Sequence, residues 1–430
     1  MIILVIAVLH LAIINRPGIP QVGDESVYVP AALRMLNATG CASYNISNVS
    51  GYQTGCNLIH PPLVKLIIAG SIALFGNDPF AWRIFNVIAG VLSIALVFFI
   101  AKELTKKDEI ALLSSGLLGM ESLFFVQSSG GLLDVPSIFF GLIGVFLYLK
   151  FRGQRFSYAN ALYISLPLAL SILSKETGIA ILAFVVLYES IINKKKQLRF
   201  SVLIIVFTLV FSFIGLQLFD SLFAHTSAVI NVEGLLRFHL AFSPPLWNET
   251  AWPLSGITNL LGPRITPLNW ITLYSPNLYY GFPQLSIINY TQTVGNTTTT
   301  YNIHRYGTTH YGVISNMVEV WLIFIWVPLF LYYLFKKQDS KFGKENMIFV
   351  LLAFFLIYGG FLLLFLLGHS TFPFYFVEFS PFLAIADAMF VCNLKNSWLK
   401  LLFIALCVIW FLWFFPVYPF VIPVSPYGFA

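Results

Sequence analysis

Two adjacent carboxylates, Asp24 and Glu25, follow the polar segment Pro20-Gln-Val-Gly23 just after the first apolar run. Neighbouring residues point in different directions on a helix or strand, so the pair divides its work: one acid faces a substrate, the other braces the loop. An ordinary acidic loop is the competing reading. Next comes His60-Pro61-Pro62-Leu63-Val64-Lys65, where the prolines fix the approach to a short apolar helix. Lys65 lies near the first turn, placed to offer an ammonium to a lipid phosphate beside free backbone N–H groups. Interfacial snorkelling by the same lysine needs no substrate and stays open. A third group is Ser174-Lys175-Glu176-Thr177-Gly178, a polar hinge between two short apolar segments that reads equally as a functional edge or a tight turn. Finally Phe372 to Pro381 sets Tyr375 and Glu378 three residues apart, hence near one helix face, with His369 just upstream. An aromatic belt residue beside a helix-end carboxylate competes with that cavity-lining role. Arg83, Gln127 and Asp134 fall near outer helix ends, whereas Glu121 and Asp387 read by depth as packing or cytoplasmic-end residues.

These residues are positioned by membrane helices. Of 430 residues 58% are hydrophobic and 10% charged, against about 25% charged in soluble domains. Apolar segments are expected near 1–14, 82–101, 109–127, 132–149, 158–173, 176–192, 200–219, 312–335, 346–367, 374–391 and 398–417, eleven in all. The first reads as a retained helix, not a cleaved signal. Residues 63–75 are too short to span and are placed as a juxtamembrane helix. With the N-terminus inside, sixteen of the 24 basic residues then fall at cytoplasmic junctions, from Lys102 to Lys400. The net charge of +6 is therefore a topology signal, with no basic and aromatic interleaving to suggest nucleic acid. Sequons at Asn37, Asn45, Asn48, Asn248, Asn289 and Asn296 all fall in the two long loops assigned outside.

The chain is thereby divided into an N-terminal membrane module 1–219 carrying the outer loop 15–81, a large outer loop or cap 220–311, late membrane helices 312–417 and a proline-rich outer tail 418–430. The first outer loop is expected to hold a helix after Pro30, with Ala31, Ala32, Met35 and Leu36 as its apolar stripe. Four cysteines are too few for a disulfide scaffold, though Cys41 and Cys56 share a loop in which a local bridge can form. There is no HExxH, paired-cysteine or DxD motif, and no Walker A or GxGxxG, so neither a metal centre nor a nucleotide-driven pump is expected.

The acidic pair after helix one, the HPPLxK segment followed by Phe75-Gly76 and Arg83, and the later Lys175-x-x-Gly178 hinge resemble the dolichyl-phosphate-mannose protein O-mannosyltransferases and their bacterial relatives that modify lipid A. The match is specific over about residues 20–100 and looser to about 200. The resemblance implies an all-α GT-C bundle of about eleven transmembrane helices, with juxtamembrane helices in the first outer loop. It also implies inverting transfer of a hexose, mannose in the type case, from a polyprenyl or dolichyl phosphate to a protein Ser/Thr or to a lipid or glycan hydroxyl. Asp24 and Glu25 take the catalytic position; Lys65, Arg83 and Lys175 are the candidates for the donor phosphate. His60, Glu176, His369, Tyr375 and Glu378 line the cavity. The soluble trefoil domain, the late histidine-rich motif and the WWDYG signature of related enzymes are absent from the sequence.

In the implied reaction Asp24 orients and deprotonates the acceptor hydroxyl, while cations stabilise the departing phosphate. Asp24→Asn and Lys65→Ala are both expected to lower transfer strongly. The donor is itself the lipid cofactor, no metal is required, and the partners are the lipid-linked sugar, its acceptor and membrane lipid. A polyprenyl-linked sugar transporter or flippase is the alternative, which predicts movement without bond cleavage. The expected location is an archaeal plasma membrane with the active site outside.

Overall fold

The computed structural model describes residues 2–15, 24–37, 56–57, 60–154, 157–193, 198–224, 267–272, 277–294, 297–336, 340–367, 371–413 and 415. In chain order these form α1 (Ile2–Ile13), α2 (Glu25–Leu36), α3 (Leu63–Phe75), α4 (Pro79–Thr105), α5 (Asp108–Met120), α6 (Ser122–Ser128), α7 (Asp134–Phe151), α8 (Tyr158–Ser174), α9 (Gly178–Asn193) and α10 (Leu198–Phe219). There follow α11 (Pro267–Thr272), β1 (Asn277–Val294), β2 (Thr297–Val313), α12 (Met317–Val320), α13 (Ile323–Lys336), α14 (Lys344–Ala353), α15 (Gly359–Leu366), α16 (Ser380–Cys392) and α17 (Ser397–Trp413). Among the described residues, the runs Pro79–Thr105, Asp134–Phe151, Arg199–Phe223, Met317–Lys336 and Lys344–Leu366 are long and apolar enough to cross a bilayer. Exposed Leu, Ile and Phe side chains on α4, α10 and α17 give the bundle an apolar exterior, as lipid contact demands. The molecule is a polytopic helical bundle.

The post of the bundle is α4. Asp78 caps it by accepting from the Ala81 N–H at 2.9 Å, Pro79 opens its first turn, and Lys106 closes it in the left-handed conformation. Its 27 residues reach about 40 Å. By the same rule the 13 residues of α3 reach about 20 Å, short of a hydrocarbon core of about 30 Å. Close helix approach depends on small residues, as is usual where lipid offers no hydrophobic drive for association. A Cβ on Gly90 of α4 would lie 2.5 Å from the Ser128 Cβ of α6, and one on Gly144 of α7 would lie 2.6 Å from Leu168 Cδ2 of α8. Gly90→Ala is therefore expected to destabilise the detergent-solubilised protein by about 1–3 kcal/mol, and adding Ser128→Gly should recover much of that loss in the same thermal melt.

Three sequence expectations are corrected. The segment 109–127 is not one helix: α5 and α6 meet at 66°, and Glu121 sits at the break instead of serving as a packing residue. Its carboxylate accepts from the N–H groups of Phe124 at 2.5 Å and Asn316 at 2.9 Å, so the acid satisfies one backbone donor freed by the break and another at the head of α12. Second, α2 starts at Glu25, before Pro30, which lies inside it; the carbonyl of Asp24 accepts the first turn's bonds from Val27 and Tyr28. Third, part of the segment 220–311, expected as a loop or cap, is an antiparallel hairpin, β1 pairing with β2 from Asn277↔Val313 to Val294↔Thr297. Tyr, Thr and Ile favour strands there, but they do not alternate with polar residues in a way that a sequence pattern reveals.

Asp387 of α16 is buried and accepts from the Trp326 indole at 2.9 Å, tying α16 to α13. Among the described residues, neither carboxylate oxygen of the buried Glu319 has a hydrogen-bond partner.

Candidate functional site

The adjacent acids part company. Glu25 is fully buried at the start of α2 and is held bidentately by Arg83 of α4, with Nε–Oε1 at 2.7 Å and Nη2–Oε2 at 2.8 Å. The Gly131 N–H adds a bond of 2.7 Å to the same carboxylate, and Arg83 also donates to the Ile14 carbonyl at 3.0 Å. Such a fork-to-fork pair is both strong and directional. It joins the end of α1, the head of α2, α4 and the turn before α7. Asp24, one residue earlier, faces solvent.

Around Asp24 the first outer loop meets the hinge between α8 and α9. Tyr28 of α2 hydrogen-bonds the Asp24 carboxyl, and His60, Asp134 and Lys175 all lie within its electrostatic reach. Protein atoms crowd this carboxyl although solvent reaches it, as expected of a group lining a recess. The crowding pushes its pKa up; Asp134 adds to the rise, while His60, Lys175 and the Tyr28 bond oppose it.

His60 stands at the recess wall with Nδ1 3.0 Å from both oxygens of Glu176. Its ring lies edge-on to Tyr28 at 6.1 Å. The Glu176 carboxyl is part-exposed to the same space yet closely surrounded; burial would raise its pKa, but His60 and Lys175 outweigh that and bring it down to about 2. Lys175 is buried, 2.5 Å from Asp134 Oδ1 and 3.5 Å from Glu378 Oε1, with its ammonium 4.4 Å from the centre of the Tyr375 ring. Burial alone would depress this lysine, but Asp134, Glu378, Tyr375 and Glu176 together raise its pKa. Thr177 donates to Glu378 Oε1 at 2.5 Å. Tyr375 and Glu378 share a face as the sequence suggests, although on a 3-10 turn, Pro373–Glu378, instead of an α-helix.

Two candidates for the donor phosphate are differently employed. Arg83 is buried with its donors committed to Glu25 and Ile14, which leaves it a brace. Lys65 is also buried: its ammonium bonds the Asn57 carbonyl, lies 3.5 Å from Asn57 Oδ1 and donates to the His60 carbonyl at 2.7 Å. It therefore clamps the chain on either side of His60, and its burial rules out the snorkelling reading. Burial lowers its pKa to about 7, with Glu176 opposing. Because the unfolded chain holds that proton up to about pH 10.4, stability should rise as pH goes from about 7 towards 10 and fall as pH drops through about 7. Thermal melts of the parental chain should show that slope, and Lys65→Met should flatten it.

Cys56 is disulfide-bonded, and Cys392 and Cys407 are free thiols. Cys41, Asn45, Asn48, Asn248, Asn296 and His369 lie outside the described residues; Asn37 is the exposed C-cap of α2 and Asn289 lies in β1. Among the described residues no group of three or more His, Cys, Asp or Glu side chains could hold a metal ion. Sequence reasoning passed over Tyr28 and Asn57, placed Thr177 in the hinge without a role of its own, and read Asp134 as a helix-end residue. Only the position of Asp134, at the outer end of its helix, hinted at a role.

Residues 59–217 match the family model described as dolichyl-phosphate-mannose-protein mannosyltransferase. The polyprenol-phosphate-mannose–protein mannosyltransferase of Mycobacterium tuberculosis is 30% identical over 132 residues, covering 31% of this chain and 24% of the relative. Its Corynebacterium glutamicum counterpart is 28% identical over 143 residues, covering 33% and 27%. The alignment thus spans about a quarter of the curated relatives' length. Among solved structures, yeast Pmt1–Pmt2 bound to the sugar donor superposes with a TM-score of 0.59 at 13% identity, covering 96% of this chain and 89% of that one. ArnT from Cupriavidus metallidurans bound to undecaprenyl phosphate gives 0.56 at 16%, covering 93% and 61%. Residues 59–217 are thus similar in sequence to these mannosyltransferases, and the bundle as a whole shares its fold with the two solved structures. Within this bundle the region of matched sequence supplies His60, Lys65, Arg83, Asp134, Lys175 and Glu176, whereas Asp24, Tyr375 and Glu378 join them through the fold.

Proposed function

We propose that this chain is a glycosyltransferase that moves a hexose, with inversion, from a polyprenyl or dolichyl phosphate to a protein Ser/Thr or to a lipid or glycan hydroxyl. The observation that carries the reading is the convergence on Asp24 of His60, Asp134, Lys175 and Tyr375, drawn from four separate stretches of chain, with Glu378 paired to Lys175. Asp24 is the general base: it takes the acceptor proton as the oxygen attacks the anomeric carbon from the face opposite the phosphate. Lys175 is the cation available to the departing phosphate, fixed in direction by Asp134 and Tyr375. Glu25 and Arg83 hold Asp24 in place without taking part, and His60, Glu176, Tyr375 and Glu378 line the recess. No metal enters this reading.

The matched relatives are named for polyprenol-phosphate-mannose and protein, which favours mannose and a protein acceptor here. The finer topology belongs to the same proposal: eleven crossings, an inside N-terminus and a recess facing away from the cytoplasm, with residues 220–311 as the outer cap and 418–430 as the outer tail. The relatives come from bacteria, an archaeon and yeast, so the membrane is assigned by its face and not by kingdom. Reconstitution into vesicles with a panel of polyprenyl-phosphate hexoses and a Ser/Thr peptide pool tests the proposal. Product mass should rise by one hexose for at least one donor; donor flipping without any glycosidic product would instead make the chain a transporter.

A further inference from the structure

Glu176 is ionised and can only accept, so the His60 nitrogen it faces, Nδ1, carries a proton. This fixes the tautomer and leaves Nε2 as the free nitrogen. Among the described residues Nε2 has no hydrogen-bond partner, and the side chain keeps 14% of its surface open. The arrangement, a carboxylate behind one nitrogen of an imidazole whose other nitrogen is uncommitted, is that of a general acid–base pair. The imidazole is also unusually well held. Lys65 bonds the His60 carbonyl, and Tyr28 packs against the ring while its hydroxyl bonds Asp24. The charged groups around it are Asp24 ahead of α2, Lys65 on α3, and Lys175 and Glu176 in the hinge.

We infer that His60, oriented by Glu176, relays the acceptor proton from Asp24 to the phosphate released by the transfer. This rests on the glycosyl-transfer reading. The acceptor O–H bond breaks and its proton goes to Asp24; the new C1–O bond forms as the C1–O bond to phosphate breaks, with its electron pair staying on phosphate. The donor diester monoanion thereby becomes a monoester dianion, whose protonation falls near pH 6. Nε2 takes the proton from Asp24, giving an imidazolium braced by Glu176, and then gives it to a phosphate oxygen. An imidazole can accept a proton at one nitrogen and release it again, which both steps require. The proton lost by the acceptor ends on the leaving group, and Asp24 is again ionised for the next turnover. Glu176 is a positioning residue in this scheme, acting through His60.

The full-length chain in vesicles, with polyprenyl-phosphate mannose and the peptide pool, provides the test. His60→Gln should lower kcat about 100-fold with donor KM little changed, and remove one limb of the pH–rate profile. His60→Ala should regain rate when free imidazole is added. Glu176→Gln should lower kcat by about tenfold and displace that limb, because it changes the proton affinity of His60 without removing it. Parental kcat and an unchanged limb in His60→Gln overturn the relay, as does a loss in His60→Ala that imidazole does not relieve. If neither His60 variant folds, the Glu176→Gln profile decides: an unmoved limb overturns the relay. No transfer by the parental chain from any donor would overturn the parent reading, a result distinct from every one of these.

Discussion

Asp24→Asn is expected to lower transfer by about 10²–10⁴-fold while the protein still inserts and melts as the parent does. The amide keeps the size and much of the hydrogen bonding of the carboxyl, including the bond from Tyr28, but cannot take a proton from an attacking hydroxyl. Because Asp24 is open to the recess and holds no helix together, its loss should leave stability near parental. The raised pKa of Asp24 sets a pH dependence as well. The acid must be ionised to act, so the rate should fall with acidification through a value above the ordinary carboxylate range, not near 4. Initial rates in the reconstituted assay across pH, with equal amounts of folded parent and variant, check both points. A variant with near-parental rate would remove Asp24 from the chemistry.

Replacing Arg83 by methionine should have the opposite signature. The partner left behind is a fully buried Glu25, and leaving one member of a buried pair unmatched costs about 3–5 kcal/mol. A lower unfolding midpoint in detergent and loss of expressed protein are expected, with Glu25→Met added to Arg83→Met recovering a substantial part. Two acids joined by one peptide bond thus report on different properties: Asp24 on rate, Glu25 on folding. An Arg83→Met protein of parental stability that simply fails to bind donor would return the arginine to the phosphate.

That division was readable in outline. Adjacent positions cannot face one way, so the sequence already required two roles for Asp24 and Glu25; which acid took which role depended on where Arg83, 58 residues further on, would sit. The hinge Lys175-Glu176 and the late Tyr375-Glu378 pair were likewise recognisable as polar residues at helix edges, and they do meet. Lys65 shows the limit of such reasoning. A lysine in the first turn of an apolar helix reads as a cation offered to the membrane, but its ammonium turns back onto carbonyls of the preceding loop, a contact that no periodicity encodes. The partner of Thr177 was unreadable for a related reason: the carboxylate it bonds lies 201 residues away. Glu121 was misjudged because an apolar run with a single acid looks continuous, and only the 66° bend gives that acid unpaired N–H groups to satisfy.

If Lys175 receives the donor phosphate as proposed, the carboxylates crowded around it set how that anion is taken up. Asp134 and Glu378 already neutralise the ammonium, so an arriving phosphate does not enter a vacant positive well; it must trade places with a resident acid. Uptake of donor is then an exchange of counterions, and the displaced carboxylate regains its claim on the lysine once product departs. Such a seat would hold its guest loosely and favour turnover over retention.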